Sequence, residues 1–297
     1  MRVNPNMVPD MLSAIDRVQQ EQAIALLQIS TGKRVNAPSD DPMAAAALVQ
    51  NHSRSDLADQ YTQNGNTVLG IVQTADSVLS SVASEVSQAI SVGVEGANGT
   101  LSDANRETLA KQVAGTLESV VSQANTTYRG IHLFAGTATT TVPFTASSAA
   151  PSGYQYNGNS NVNLVAIGDG YQVRVNVPGD QIFQQSGADL LGSLQQLVST
   201  LRGGDTAAIG TATNQLRQAL DHLNQQRAFY GDVANQIKTQ ETFLQNETVD
   251  IQSEENSLVG VDLAAAATNL NQAQTATQAT LAATARVLQV NLLDYLK

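Results

Sequence analysis

Apolar residues recur at gaps of three and four along both ends of this chain. Toward the carboxyl end, Leu263, Ala266, Leu270, Ala273, Thr277, Leu281, Thr284, Leu288, Leu292 and Tyr295 keep that rhythm, which is the stripe of an amphipathic helix. Toward the amino end, Val8, Met11, Ile15, Val18, Gln22, Ala25 and Ile29 do the same, and Leu12, Leu26 and Leu27 widen the apolar face. From Val261 onward only Asp262, Arg286, Asp294 and Lys297 carry charge. A helix of about 36 residues is ~54 Å long, and a stripe of that length has to be covered by something. The two terminal helices are therefore expected to pair with each other, and the pair to pack against copies of itself. The alternative at this point is that they complete the bundle of a single monomer. Met11, Ile15, Val18, Ile29, Leu263, Leu270, Leu281, Leu288 and Leu292 are the candidate assembly interface.

Between these ends the same periodicity predicts a mainly α, elongated bundle of long coiled-coil-like helices with a small β insertion. The first helix should stop at Thr31, with Gly32 as a left-handed cap and Lys33 and Arg34 near its negative end. A turn-rich loop follows, in which Ser39, Asp40 or Asp41 would cap a second helix that has Pro42 in its first turn. Leu57, Tyr61, Asn64, Val68, Val72, Ala75, Leu79, Val82, Val86 and Ile90 carry that helix to about Val92, ahead of the glycines at 93–99. Ser102 or Asp103 would cap a third helix with the stripe Leu109, Val113, Leu117, Val120 and Ala124, ending near Tyr128-Arg129-Gly130. From Thr137 to Gly187 the chain is rich in Thr, Ser, Gly and Asn. There Tyr154-Gln155-Tyr156, Val162 to Ile167 and Tyr171 to Val177 read as strands separated by turns. A short helix is expected from Ala188 to Gly203-Gly204, and Asp205 then caps a last long element. In it Leu216, Leu223, Tyr230, Ile237, Leu244, Ile251 and Leu258 repeat every seventh residue, as a coiled-coil seam requires. The companion row, which includes Arg227, Glu241, Thr248 and Glu255, is more polar.

Composition supports long helical contacts over one thick core. Hydrophobic residues make up 42% but aromatics only 4%, without tryptophan. A net charge of −11 with no basic run longer than Lys33-Arg34 leaves no footprint for nucleic acid. The absence of cysteine removes disulfides, thiolate metal sites and cysteine nucleophiles. Polar faces of Gln, Thr and Asn on the terminal helices argue for partner helices and against a lipid surface. No basic region followed by an apolar run is visible at Met1 to Met7, so the expectation is a protein that is cytoplasmic or leaves the cell without a cleaved leader.

The stretch from Ser30 to Pro42, with Gly32, Arg34, Asn36, Pro38, Asp40, Asp41 and Pro42, resembles the amino-terminal signature of the bacterial flagellin family. Asn269 to Leu281, followed by Leu288 to Leu296, is similar to the family's carboxyl-terminal helix. Ile131-His132-Leu133-Phe134-Ala135-Gly136 and the short β unit around Ile167 to Gly179 resemble the branch of the family that joins hook to filament, although His132 stands where an aromatic residue is expected. The resemblance implies a structural subunit of the flagellum, not an enzyme, with no cofactor. It implies residues 1–32 and 261–297 as an inner polymerisation domain, 33–136 and 188–260 as a helical rod, and 137–187 as a small outer β domain. Implied partners are further copies in a helical ring, hook-associated protein 1, flagellin and a flagellar export chaperone. The alternatives are a filament subunit or, from another class, a cytoplasmic coiled-coil signalling or scaffold module.

Candidate chemistry is sparse. His52 and Asp56 lie one helical turn apart, and Asp40-Asp41 and Glu254-Glu255 are acidic pairs, yet His132 and His222 are isolated. No HExxH, calcium-loop or nucleophile-elbow pattern occurs, so capping and solvated-face roles are expected for these groups. Gly168-Asp169-Gly170 reads as a hairpin turn, because no helix is predicted to follow it as a phosphate cradle needs.

Overall fold

The computed structural model describes the backbone of residues 7–295 and the side chains of residues 9–286 apart from Met11. The chain packs as two compact units, one made of Met1–Leu57 with Asn246–Lys297 and the other of Ala58–Gln245. Helix α1 spans Met7–Thr31, α2 Pro42–Gly96, α3 Asp103–Ala124, α4 Gly179–Phe183, α5 Leu190–Gly203, α6 Thr206–Val259 and α7 Leu263–Tyr295.

In the first unit α1 lies along α7. Gly32 meets Val261 and Gln22 meets Thr277, so the two helices run antiparallel. In the second, the stripe of α3 is buried as expected, and Ser102 is its cap, its hydroxyl accepting from the Asn105 amide. Leu216, Leu223, Tyr230, Ile237 and Leu244 of α6 are each at most 4% exposed, so the seven-residue row is the face that α6 buries. Asp205 caps α6 through the amides of Ala207 and Ala208.

Two expected helix ends differ, and the short helix expected from Ala188 starts at Leu190. Helix α2 runs through Gly93 and ends at Gly96. A Cβ at Gly93 would run into Thr213 Oγ1 and lie 3.3 Å from Leu197, so this glycine admits close packing inside the helix and does not end it. Helix α3 ends at Ala124, before Tyr128. The next residues form a tight hairpin of β1 (Thr127–Tyr128) and β2 (Ile131–His132), turned by Arg129 and Gly130 at φ 50° and 84°. Positive φ at both central residues is the type I′ requirement, so a two-residue turn replaces the last helical turn.

The β-rich segment forms further antiparallel pairs: β3 (Phe144–Ala146) with β4 (Tyr154–Tyr156), β5 (Leu164–Gly168) with β6 (Tyr171–Arg174), and β7 (Gln184–Gln185) with β8 (Ala188–Asp189). Strand β3 is attached by a side chain. Asn125, which follows α3, donates from Nδ2 to the Phe144 carbonyl at 2.9 Å and accepts from the Phe144 amide at 2.8 Å, as a neighbouring strand would. Phe144, Ile167, Val173, Ile182 and Phe183 share one core with Leu190, Leu194, Leu197, Val120 and Tyr230. The Phe183 ring meets those of Phe134 and Phe144 edge-on, at 5.4 and 5.6 Å. Tyr230 is buried, and its hydroxyl oxygen accepts from the Val177 amide at 3.1 Å, which ties the chain after β6 to α6. Burial pushes its phenol well above the ordinary value.

Candidate assembly surface and the loop beside it

The loop from Gly32 to Pro42 is built by short-range capping. Gly32, at φ 69°, closes α1 with its amide on Gln28 O at 2.9 Å. Asp40 Oδ2 accepts from the amides of Asn36 and Ala37 at 3.0 and 2.9 Å, which folds the turn back on itself. Asp41 caps α2, accepting from the Ala44 amide at 3.1 Å, and Pro42 fills the first helical position. These amides hold the carboxyls of Asp40 and Asp41 below their ordinary value, with Arg34 adding to the effect at Asp41.

The loop is also strapped to the junction between α6 and α7. The Arg34 amide donates to Val259 O at 2.6 Å and the Val261 amide to Gly32 O at 3.2 Å. Arg34 Nη2 reaches both Asp41 Oδ2, at 3.1 Å, and Leu258 O, at 2.9 Å. Beneath it Val35, Ala44 and Val259 form a small apolar cluster against Leu48 and Leu258. Asp262 then caps α7 through the amides of Ala264 and Ala265. Arg34, Asn36, Asp40 and Asp41 thus meet as parts of one clamp that joins the two chain ends, while Pro38 and Pro42 stay exposed at its bends.

The α1 and α7 seam is thin. Ile15, Val18, Gln22, Ala25 and Ile29 face it from α1, and Ala266, Leu270, Ala273, Thr277, Thr280 and Thr284 from α7. Alanine and threonine fill most of the α7 side. Of the candidate interface residues, Ile15, Val18, Ile29 and Leu270 are half-buried in this pairing, whereas Leu263 and Leu281 are 56% and 50% exposed on its flank. The side chains of Met11, Leu288 and Leu292 lie outside the described residues. Leu12, Leu26 and Leu27 do not widen the paired face; with Ile24 they are exposed apolar side chains outside it. The groove between the helices, lined by Ile24, Ala25, Ala273 and Ala276, is open, with a volume of about 440 Å³. Apolar side chains exposed in this number on one helix pair are characteristic of interaction surfaces.

The histidines and the acidic pairs weighed for chemistry have structural partners. His52 sits 3.4 Å from Glu255, and Arg54 bonds Glu247 at 3.2 Å. His132 Nδ1 lies 2.9 Å from Asn125 O, and His222 Nε2 lies 2.7 Å from Gln181 O. Among the described residues no helix is long and apolar enough to cross a membrane.

Comparison with known proteins accounts for the clamp and the helix pair together. The bacterial flagellin N-terminal helical region matches residues 3–139, and the bacterial flagellin C-terminal helical region matches residues 213–296. The chain belongs to the bacterial flagellin family. The two matches include the whole loop and both terminal helices, and residues 140–212 lie between them. Flagellar hook-associated protein 3 of Escherichia coli is 28% identical over 85% of this chain and 86% of its own length. Flagellin of Listeria monocytogenes is 24% identical over 95% of this chain and 93% of its own. The flagellar junction protein of Legionella pneumophila shares the fold, with a TM-score of 0.61 at 17% identity over 72% of this chain and all of that one.

Proposed function

We propose that the chain is a structural subunit of the bacterial flagellum that forms the junction between hook and filament by helical self-assembly of its terminal helices. The observation that carries this reading is the near full-length similarity to hook-associated protein 3, together with a paired α1 and α7 that leave Leu12, Ile24, Leu26, Leu27, Leu263 and Leu281 exposed. Contacts between such side chains on successive copies are heterologous and need not close, so they generate a helical lattice. The clamp serves this purpose by setting how α1 and α7 leave the rest of the first unit. Partners on this reading are further copies of the chain, hook-associated protein 1 on one side, flagellin on the other, and an export chaperone that covers the apolar rows before assembly.

The similarity to Listeria flagellin, which spans even more of this chain, favours a second reading as a filament subunit. Immunogold electron microscopy of detached flagella, with antibody to residues 137–187, separates the two. A narrow labelled band where hook meets filament supports the junction role. Label along the filament makes the chain a flagellin, and label absent from flagella altogether overturns both.

A further inference from the structure

Three Asn-Gly pairs occur in the chain, at Asn64-Gly65, Asn98-Gly99 and Asn157-Gly158. Their surroundings differ in ways that bear on one reaction, the attack of the following backbone nitrogen on the asparagine side-chain carbonyl. Asn64 lies inside α2, where its backbone is held in the helical ladder, and its Nδ2 donates to Ala166 O at 3.0 Å. Asn157 is held at both ends, its amide on Pro143 O at 2.8 Å and its Nδ2 on Thr145 Oγ1 at 2.8 Å. Gly158 is wedged against the Tyr156 ring and Ala135 O.

Asn98-Gly99 is arranged otherwise. It follows the end of α2 in an exposed turn, in which the Asn98 amide donates to Glu95 O at 3.0 Å and the Leu101 amide to Asn98 O at 3.2 Å. Nothing lies within 4 Å of the Cβ position of Gly99, so no other part of the chain crowds this side of the turn. Asn98 Oδ1 accepts from both the amide and the hydroxyl of Thr100, at 3.1 and 2.9 Å. Two donors on this oxygen polarise the carbonyl and stabilise the negative charge that builds on it when a nucleophile adds. They leave Nδ2, the leaving group, facing solvent.

We propose that Asn98 is a self-modifying site, at which the Gly99 nitrogen cyclises onto the Asn98 side chain and the turn becomes aspartate or isoaspartate. Hydroxide takes the Gly99 amide proton, the nitrogen bonds to Cγ, and the tetrahedral oxyanion forms on Oδ1 between the Thr100 donors. The Cγ–Nδ2 bond then breaks, and the nitrogen leaves as ammonia after taking a proton from water. Water opens the resulting cyclic imide at either carbonyl, so the net change is one water consumed and one ammonia released. The product carries a new negative charge just beyond the carboxyl end of α2. That is the end where the helix dipole disfavours it, close in sequence to Glu95 and Asp103.

The test is incubation of the full-length protein at mildly alkaline pH, with peptide mapping by mass spectrometry that separates asparagine, aspartate and isoaspartate at positions 64, 98 and 157. Conversion at position 98 is expected to exceed that at the other two by roughly tenfold or more, a barrier difference of about 1.4 kcal/mol. Gly99→Ala fits the open space without a left-handed backbone and should slow the reaction by roughly tenfold by crowding the nitrogen. Thr100→Val, which removes the hydroxyl donor, should slow it as well. In denaturant the preference for position 98 should collapse, because all three pairs then have the same freedom. Equal conversion at the three positions of the folded protein, indifference to Gly99→Ala, or a preference that persists in denaturant would each overturn the assignment.

Discussion

Leu281→Asp puts a carboxylate on the flank of α7, where the leucine is 50% exposed. In the free subunit the new group stays in water. The loss there is the buried half of one leucine, about 1 kcal/mol, and a helix-propensity difference of roughly 0.5 kcal/mol. Both fall on the terminal pair, so the second unit should melt unchanged. In the assembled state the exposed half of Leu281 is the part that a neighbour covers, so another ~1 kcal/mol of burial is lost. An unpaired carboxylate is taken out of water besides, at a cost of several kcal/mol. A combined penalty of about 4 kcal/mol per contact corresponds to nearly a thousandfold higher protein concentration for polymerisation. The assay is paired: thermal unfolding of the free subunit by circular dichroism, and pelleting with electron microscopy of polymer grown from purified protein. Leu281→Asp polymer forming at the wild-type concentration would refute the reasoning, because it would mean that no neighbour covers this flank. So would loss of the second unit's transition, since the substitution would then be acting on folding.

Four further outcomes follow from the same geometry. Asp41→Ala removes the cap on α2 and should cost about 1 kcal/mol in urea unfolding, with Asp41→Asn restoring most of it because the amide oxygen still accepts from Ala44. The carboxyls of Asp40 and Asp41 titrate below the ordinary 3.8 in the folded chain. The stability they add is therefore complete above 3.8 and lost as pH falls through their lowered folded-state values; acid unfolding of Asp40→Asn should show a shallower fall in that range than wild type. Tyr230→Phe leaves the buried Val177 amide without its acceptor and should destabilise the second unit by about 1–3 kcal/mol, read from the exchange of its core amides, while those of α1 keep their rates. Gly93→Val drives a side chain into Thr213 and Leu197 and should cost about 1–3 kcal/mol of the same unit's stability by overpacking, measured by its denaturant midpoint.

The long helices were legible because their information is local and repeated. A row such as Leu216 to Leu258 carries one seven-residue period over six intervals, and a helix that buries one face has to show it. Caps were legible for the same reason: Ser102, Asp205 and the Asp41-Pro42 pair act within three or four residues of themselves. The hairpin at Arg129-Gly130, strand β3 and the short α4 left no such trace. Strands of two or three residues have no period to display, and β3 is held by the side chain of Asn125, nineteen positions away. The clamp was readable as a family signature, but only the fold shows that Arg34 spans to Leu258, 224 positions on.

For the terminal helices the division is sharper. Their sequences determined that each carries more apolar surface than a lone helix can leave in water. The sequence could not determine which apolar side chains meet the partner, because Leu12, Leu26 and Leu27 are as apolar as Ile15 and Val18 and lie on the same helix. Tertiary structure decided it, since the clamp fixes how α1 and α7 approach each other. The small Ala266, Ala273 and Thr277 side chains then let the paired rows close, and Leu12, Ile24, Leu263 and Leu281 are left outside.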